Sequence, residues 1–330
     1  MATLEVRSEV MKLAHRLSVD SGELSYLQRL SADDLRALNQ GATDALFEND
    51  RRFGRVALAA RIPPAGMTAW IAQHLFGALL CARVAGQLDT RRAIDLAQRM
   101  PPPFLADLAI ELDPRRARDI IFGLPPALIG EVAAELTERR EYIAMGRFVG
   151  NMTDAAIRAA FAVIDDLSLL RISPFVEEKD HLDHVVGLLE LERVRNAIRG
   201  ASDADLWPQA LDLLTRVSPQ RAGALADLAA EEDDHVLEGM VAAACREDLW
   251  SAVLPVTQNM SKEGRRRFAT LPALHTPDVI ATIAEAAVAA DLLDDLMPLA
   301  ELMPAAAQQR LRELTVQGPQ PSRRAGVRRS

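Results

Sequence analysis

One spacing recurs in the C-terminal part of the chain and constrains its fold more than any other feature. Asp205, Asp248 and Asp291 lie 43 residues apart, and a leucine follows each of them. The same spacing connects five series of apolar positions, which are Leu206, Leu249 and Leu292; Leu211, Leu254 and Met297; Val217, Met260 and Met303; Leu225, Phe268 and Leu311; and Leu228, Leu271 and Leu314. So many apolar positions at one offset predict a repeating structural unit.

The residues inside one unit have the spacing of a helix. Leu206, Ala210, Leu213 and Leu214 fall on one helical stripe, and no stretch of useful length alternates with the period of a strand. Aromatic residues are only 4% of the chain, and Ala and Leu, which favour helices, dominate its apolar set. A helical repeat of this length is typical of HEAT and armadillo arrays. The sequence therefore predicts an all-α fold, a right-handed α-solenoid of stacked short helices.

Local signals place several helix ends. Ser202, with Asp205 three residues later, resembles a capping box that would begin a helix. Ser218 before Pro219 predicts a capped helix with proline in its first turn. In the N-terminal region, Ser31 is expected to cap a helix that stops at Gly41.

A shorter repeat occupies the middle of the chain. Similar segments begin at Leu88, Leu112 and Leu136, each 24 residues after the last. Each segment is expected to form a short helix, a turn and a second short helix, because proline ends one helix but suits the start of the next. Neither helix buries its apolar stripe alone, so neighbouring units must stack.

The two periods divide the chain into five segments. These are an N-terminal cap with irregular repeats, the 24-residue repeats, a junction that breaks both periods, the 43-residue repeats and a disordered basic tail. Their bounds are 1–87, 88–170, 171–183, 184–316 and 317–330.

The middle repeat resembles a known helical domain. The pattern is Leu112-Asp113-Pro114, Ala117, Ile120-Ile121, Leu124-Pro125-Pro126, Ile129, Val132 and Leu136. Over about residues 88–150 it is similar to the cytosolic N-terminal domain of MgtE-type magnesium transporters, and to the middle domain of the flagellar switch protein FliG. The resemblance implies a superhelical regulatory or docking domain. The transporter's paired regulatory domains and membrane domain have no counterpart here, so magnesium transport is not implied.

Charge and targeting signals bound the partners and the location. A net charge of −9 makes nucleic-acid binding by the body of the protein unlikely, because phosphate contacts need a surplus of Lys and Arg. Arg323, Arg324, Arg328 and Arg329 make the tail basic, and the tail is a candidate contact for an acidic partner. Two distant cysteines and a charged N-terminus without an apolar core favour a cytoplasmic protein. The apolar stretch 65–86 is interrupted by polar residues, so we expect a buried helix and no membrane span.

No catalytic motif is present, and no cofactor is expected. The chain has no Gly-x-Gly, P-loop, HExxH or GxSxG sequence. Asp180, His181 and His184 have helical spacings that could begin a metal site. A solvated acidic junction explains these three residues more simply.

The sequence therefore predicts a non-catalytic scaffold or adaptor whose partner is another protein. Candidate anchors are Trp207 and Trp250, which share a repeat position, and three arginine pairs that recur every 24 residues and are expected on equivalent faces. The pairs are Arg91 and Arg92, Arg115 and Arg116, and Arg139 and Arg140. The alternative is a regulatory or sensory subunit that binds a divalent cation or a small ligand between repeats.

Overall fold

The computed structural model describes residues 3–47, 50–60, 62–177 and 179–317. All regular secondary structure in these ranges is helical, and they contain no strand. The prediction of an all-α fold is confirmed. The chain divides into two compact units, Met1–Ala197 and Ile198–Ser330.

The first unit contains thirteen of the described α-helices and the start of a fourteenth. They are α1 Leu4–Leu17, α2 Ala32–Phe47, α3 Asp50–Ala59, α4 Ala65–Ile71, α5 Gly77–Ala85, α6 Thr90–Ala97, α7 Pro102–Glu111, α8 Arg118–Gly123, α9 Pro126–Glu138, α10 Tyr142–Phe148, α11 Asp154–Phe161, α12 Asp166–Ile172, α13 Lys179–Gly187 and α14 Leu191–Asp203. A π-helical segment, Ala72–Phe76, joins α4 to α5.

Short polar side chains begin several of these helices. The hydroxyl of Ser31 accepts the backbone N–H of Asp34 at 3.1 Å, which confirms the predicted cap of α2. Asp165 accepts the backbone N–H of Ser168 at 2.9 Å at the start of α12. The predicted stop at Gly41 is wrong, because α2 continues to Phe47. A glycine without positive φ only weakens a helix, and packing against α1 offsets that loss.

The second helices of the middle repeats pack against one another in chain order. α5 contacts α7, α7 contacts α9, and α9 contacts α11, while α6 contacts α8. A core of small and branched side chains lies between them, including Ala106, Ala109, Ala133, Leu136 and Ile164. Alanine at these positions lets the helix axes approach closely, so each helix buries its stripe only against its neighbours.

The 24-residue spacing holds for some helices and slips for others. α7 and α9 begin 24 residues apart, as do α8 and α10. α9 is longer than α7 and runs through Leu136, where a third unit was expected to begin. That unit instead starts its first helix at Tyr142. The sequence repeat is therefore not matched by an identical arrangement of helix ends.

The second unit completes α14 and contains eight further α-helices. They are α15 Trp207–Arg216, α16 Pro219–Ala230, α17 Asp234–Arg246, α18 Trp250–Thr257, α19 Lys262–Ala269, α20 Pro277–Ala289, α21 Leu293–Ala300 and α22 Ala305–Gln317. Helices α14, α17 and α20 begin 43 residues apart, and so do α15, α18 and α21, and α16, α19 and α22. Three helices therefore make up each 43-residue unit.

The recurring aspartates have a structural cause. Asp205, Asp248 and Asp291 adopt left-handed backbone conformations, with φ of 52°, 57° and 56°. Each lies just after a helix, and the N–H of the following leucine donates to the carbonyl oxygen five residues back, at 2.8–2.9 Å. This is the Schellman arrangement that ends a helix, and Asp tolerates its positive φ better than most residues.

This geometry corrects the predicted capping box. Ser202 lies inside α14, and Asp205 follows that helix's end rather than starting the next. Ser218 does cap α16, accepting the N–H of Arg221 at 3.4 Å with Pro219 in the first turn.

Equivalent helices of the second unit pack against one another. α15 contacts α18, α18 contacts α21, and α16 contacts α19. Leu211 and Leu254 are buried at the same repeat position, but Met297 at the third position is half exposed. Gly223 of α16 comes so close to the next repeat that an added Cβ would lie 2.1 Å from the carbonyl oxygen of Asn259. These contacts hold successive units in close register.

Candidate functional site

Five large apolar side chains are exposed along the segment from α4 to α5. Trp70 and Leu75 expose 55% and 68% of their surface, and Met67, Phe76 and Leu79 are also about half exposed. Scattered exposed apolar residues are ordinary, but a group of large ones within thirteen residues is typical of a binding surface. We call these five residues the apolar face.

The inner side of the same segment carries small residues. Ala65, Ala69, Ala72 and Ala82 are buried, together with Thr68. An ordinary surface helix buries its large apolar side chains and exposes its polar ones. Here the large side chains point away from the core, and alanines make the contacts beneath them.

This exposure corrects the expectation of a buried helix in this stretch. Ala65–Ala85 is long and apolar enough to cross a membrane by length and composition, with a mean hydropathy of 1.3, yet only 22% of it is buried. The sequence shows that this segment is apolar. It does not show which side the neighbouring helices cover.

The backbone changes pitch at the centre of the apolar face. Residues 72–76 form a π-helical turn, which ends at Gly77 with φ of 74°. The rings of Trp70 and His74 stack with centroids 4.7 Å apart and planes 17° apart, and His74 Nδ1 lies 2.8 Å from the carbonyl oxygen of Trp70. Single π-helical turns are frequent at functional sites because they redirect side chains. The turn and the stack together fix a flat aromatic surface.

The first arginine pair has one structural and one free member. Arg92 donates to the carbonyl oxygens of Ala60 and Pro63 at 3.2 and 2.5 Å and to the hydroxyl of Thr68 at 3.3 Å. It therefore ties α6 to the loop before α4. The side chain of Arg91 is exposed and has no ion pair or hydrogen bond among the described residues.

The second pair lies in the turn before α8 and takes part in ion pairs. Arg115 and Arg116 both lie 3.6 Å from the buried carboxylate of Asp113. Arg115 also donates to Gln40, and Arg116 lies 3.4 Å from Asp44. These contacts connect the turn to α2, so both guanidinium groups have structural partners.

The third pair follows the end of α9. Arg139 donates to Glu135 at 2.6 and 2.8 Å and to Asp107 at 2.5 Å. Those hydrogen bonds raise the pKa of Arg139 further above its ordinary value. Arg140 has a φ of 59° and an exposed side chain without a partner among the described residues. The three pairs therefore occupy different local structures, and the expectation of equivalent faces is wrong.

The repeated tryptophans lie in the core. Trp207 is 4% exposed and Trp250 is fully buried. The indole N–H of Trp250 donates to Cys245 Sγ at 3.4 Å. The structure corrects the expectation that they are surface anchors, because a buried ring at the junction of repeats cannot reach a partner. Their recurrence comes from packing.

The predicted metal ligands do not converge among the residues that the structure describes. His184 Nε2 lies 2.8 Å from Asp154 Oδ1, which belongs to α11. No group of three His, Cys, Asp or Glu side chains close enough to hold a metal occurs in the described part of the chain, where His181 and His184 lie on α13. The side chain of Asp180 is outside the described residues, as are Arg323, Arg324, Arg328 and Arg329 of the tail.

A half-buried histidine lies near the end of α1. Burial lowers the pKa of His15, the nearby Glu141 opposes that change, and Arg147 reinforces it. The Nε2 atom of His15 is buried and has no hydrogen-bond partner. Arg147 is itself buried and donates to the carbonyl oxygen of Leu112 at 3.0 Å. The neutral imidazole is therefore the favoured form in the folded protein.

No protein-family model, curated protein or solved structure matches this chain. The candidate site therefore depends on geometry alone. Among the described residues, the apolar face is the surface whose composition departs furthest from that of an ordinary helix exterior.

Proposed function

We propose that this protein is a non-catalytic scaffold that binds another protein through the apolar face. We also propose that both helical arrays belong to a right-handed α-solenoid. The successive contacts of α5, α7, α9 and α11, and those of α15, α18 and α21, support that arrangement. Solenoids present long surfaces, and their usual role is to hold other macromolecules.

The observation that carries the proposal is the reversed distribution of large and small side chains around α4 and α5. Five half-exposed large side chains present roughly 100 Å² each, or about 500 Å² together, near the upper end for the largest apolar patch on a monomer. Covering that area stabilises a complex by about 12 kcal/mol before the cost of association is subtracted. A protein surface of matching shape would supply that cover.

The charge around the apolar face favours a protein partner over a membrane. Segments that lie on membranes carry several Lys or Arg residues beside their apolar side. Residues 62–86 contain one arginine, Arg83, and no lysine, and the whole chain has a net charge of −9. Anionic lipid would repel such a chain.

The resemblance of residues 88–150 to the MgtE N-terminal domain and the FliG middle domain supports the same proposal, because both domains act by docking. We place the protein in the cytoplasm on the same grounds. Its two cysteines are free and only partly exposed, as suits a reducing compartment.

The test is affinity capture from the native cell extract with single variants, Trp70→Ser and Leu75→Gln. The matched control is Leu191→Gln, because Leu191 is 56% exposed but lies on α14, outside the apolar face. We expect the unaltered chain and the control to retain one stoichiometric partner that both face variants lose. With the purified partner, removal of the Trp70 ring should cost about 2 kcal/mol, or about 30-fold in Kd.

Three results would contradict the proposal. Equal capture by the face variants and the control would move the contact elsewhere. Flotation of the chain with phosphatidylglycerol vesicles, lost in Trp70→Ser, would identify a membrane surface instead. A change from dimer to monomer in the face variants, measured by light scattering, would show that the face binds a second copy of this chain.

A further inference from the structure

A polar cleft lies where the end of α9 meets α10 and α12 in the first unit. Its volume is about 370 Å³, within the range of small-ligand sites. The residues that line it are Thr137, Arg140, Tyr142, Asp165, Ser168 and Arg171. Two guanidinium groups and three hydroxyl groups therefore face one space.

The two arginines of the cleft lack partners. Neither Arg140 nor Arg171 has an ion pair or hydrogen bond among the described residues, although Arg171 is half-buried. Neighbouring Arg139, in contrast, bonds to two carboxylates. Two like charges beside one cleft repel each other, so the arrangement is stabilised when an anion lies between them.

The one carboxylate of the cleft is already engaged. Asp165 accepts the backbone N–H of Ser168 at 2.9 Å and its hydroxyl as well. Partial burial raises the pKa of Asp165, but the hydrogen bonds from Ser168 outweigh it, and the pKa is lowered overall. Asp165 is not within ion-pair distance of Arg140 or Arg171, so it leaves both cations free.

We propose that this cleft binds a small molecule through a phosphate monoester group. Arginine offers paired N–H donors that match the oxygens of phosphate, and the phosphate dianion balances two guanidinium charges. The hydroxyl of Tyr142 has no partner among the described residues and adds a third donor. The hydroxyls of Thr137 and Ser168 donate within the protein, to Ala133 and Asp165.

The shape of the backbone fixes one of the two cations. Arg140 follows α9 in the left-handed conformation, and the N–H of Glu141 donates to the carbonyl oxygen of Leu136 at 2.9 Å. This closure of the helix end sets the direction in which the Arg140 side chain leaves the backbone. Arg171 extends from α12, whose start Asp165 caps.

The experiment is calorimetric titration of the full chain at low ionic strength with glucose 6-phosphate and, separately, with inorganic phosphate. The variants are Arg140→Gln and Arg171→Gln. The control is Arg91→Gln, which removes the same charge from an exposed and unpaired arginine of the same unit. Circular dichroism checks that every variant has the helix content and melting temperature of the unaltered chain.

We expect glucose 6-phosphate to bind and each cleft variant to weaken it by about tenfold or more, while the control changes Kd by less than about twofold. Glucose 6-sulfate, a monoanion of similar shape, should bind about tenfold more weakly. Affinity should fall from pH 7.5 to pH 5, because the second pKa of a phosphate monoester is about 6.

Absence of binding by either phosphate would overturn the proposal. So would equal losses in all three variants, since those would show only a general effect of charge. Equal affinity for the sulfate ester would overturn the assignment of a phosphate dianion. None of these results depends on the apolar face.

Discussion

Replacing Gly223 by alanine tests the close stacking of the 43-residue repeats. Gly223 lies inside α16, where alanine alone would stabilise a helix by about 1 kcal/mol. The added Cβ, however, would lie 2.1 Å from the carbonyl oxygen and 2.5 Å from the carbonyl carbon of Asn259. These are backbone atoms that no side-chain rotation can move, so α16 or the segment after α18 must shift.

The size of the effect follows from those two opposing contributions. Overpacking a close contact costs about 1–3 kcal/mol, and a backbone obstacle belongs at or above the upper end of that range. After the gain in helix propensity is subtracted, we expect Gly223→Ala to lower the free energy of unfolding by about 1–2 kcal/mol. The matched control is Gly41→Ala in α2, where nothing lies within 4 Å of the added Cβ. The control should raise stability by about 0.5–1 kcal/mol.

Urea unfolding followed by tryptophan fluorescence measures this effect in the second unit. The chain has three tryptophans, and Trp207 and Trp250 are both buried in that unit. Trp70→Phe removes the exposed signal from the first unit. We expect Gly223→Ala to lower the midpoint by roughly 0.5–1 M urea. A midpoint that stays constant or rises would refute the reasoning, because the repeats would then not be packed as closely as Gly223 and Asn259 indicate.

Three further predictions follow from the described residues. Asp248→Gly should stabilise the chain by about 0.5–1 kcal/mol in thermal melts, because glycine adopts positive φ without strain, whereas Asp205→Gly should gain less because Asp205 also pairs with Arg246 at 2.6 Å. The lowered pKa of His15 should make stability complete above about pH 6.5 and decreasing as pH falls toward the lower folded pKa, since the unfolded chain takes up the proton first; His15→Gln should remove that part of the pH dependence in urea titrations at pH 5–8, and identical slopes would contradict it. Burial raises the pKa of Cys81 to about 11, so in a Cys245→Ser background Ellman's reagent should react slowly at pH 8 until urea unfolds the chain.

Residue patterns predicted much of the architecture but not the roles of individual side chains. The spacing of Asp205, Asp248 and Asp291 located the ends of three helices correctly as a repeat, although the proposed capping box assigned Asp205 to the wrong side of the turn. A capping aspartate and a left-handed aspartate both lie beside a helix end, and sequence spacing alone does not distinguish them.

The candidate sites were predicted less well. Trp207 and Trp250 were expected at the surface, but both are buried, because a residue that recurs in every unit commonly packs between units. Arg91 and Arg140 are free while Arg92 and Arg139 are engaged, a difference that depends on side chains far away in the sequence. Arg171 has no motif around it and becomes a candidate only through its position in the cleft.

The sequence by itself determined that the chain is helical and that its C-terminal part repeats every 43 residues, since helix propensity, proline position and apolar spacing are local properties. Only the tertiary structure decided which side of each helix is covered. A helix with Ala65, Ala69 and Ala72 on one side and Trp70 and Leu75 on another has two apolar sides. Which of them is buried depends on the close approach that alanine permits between neighbouring helices, and that approach is set by the whole fold.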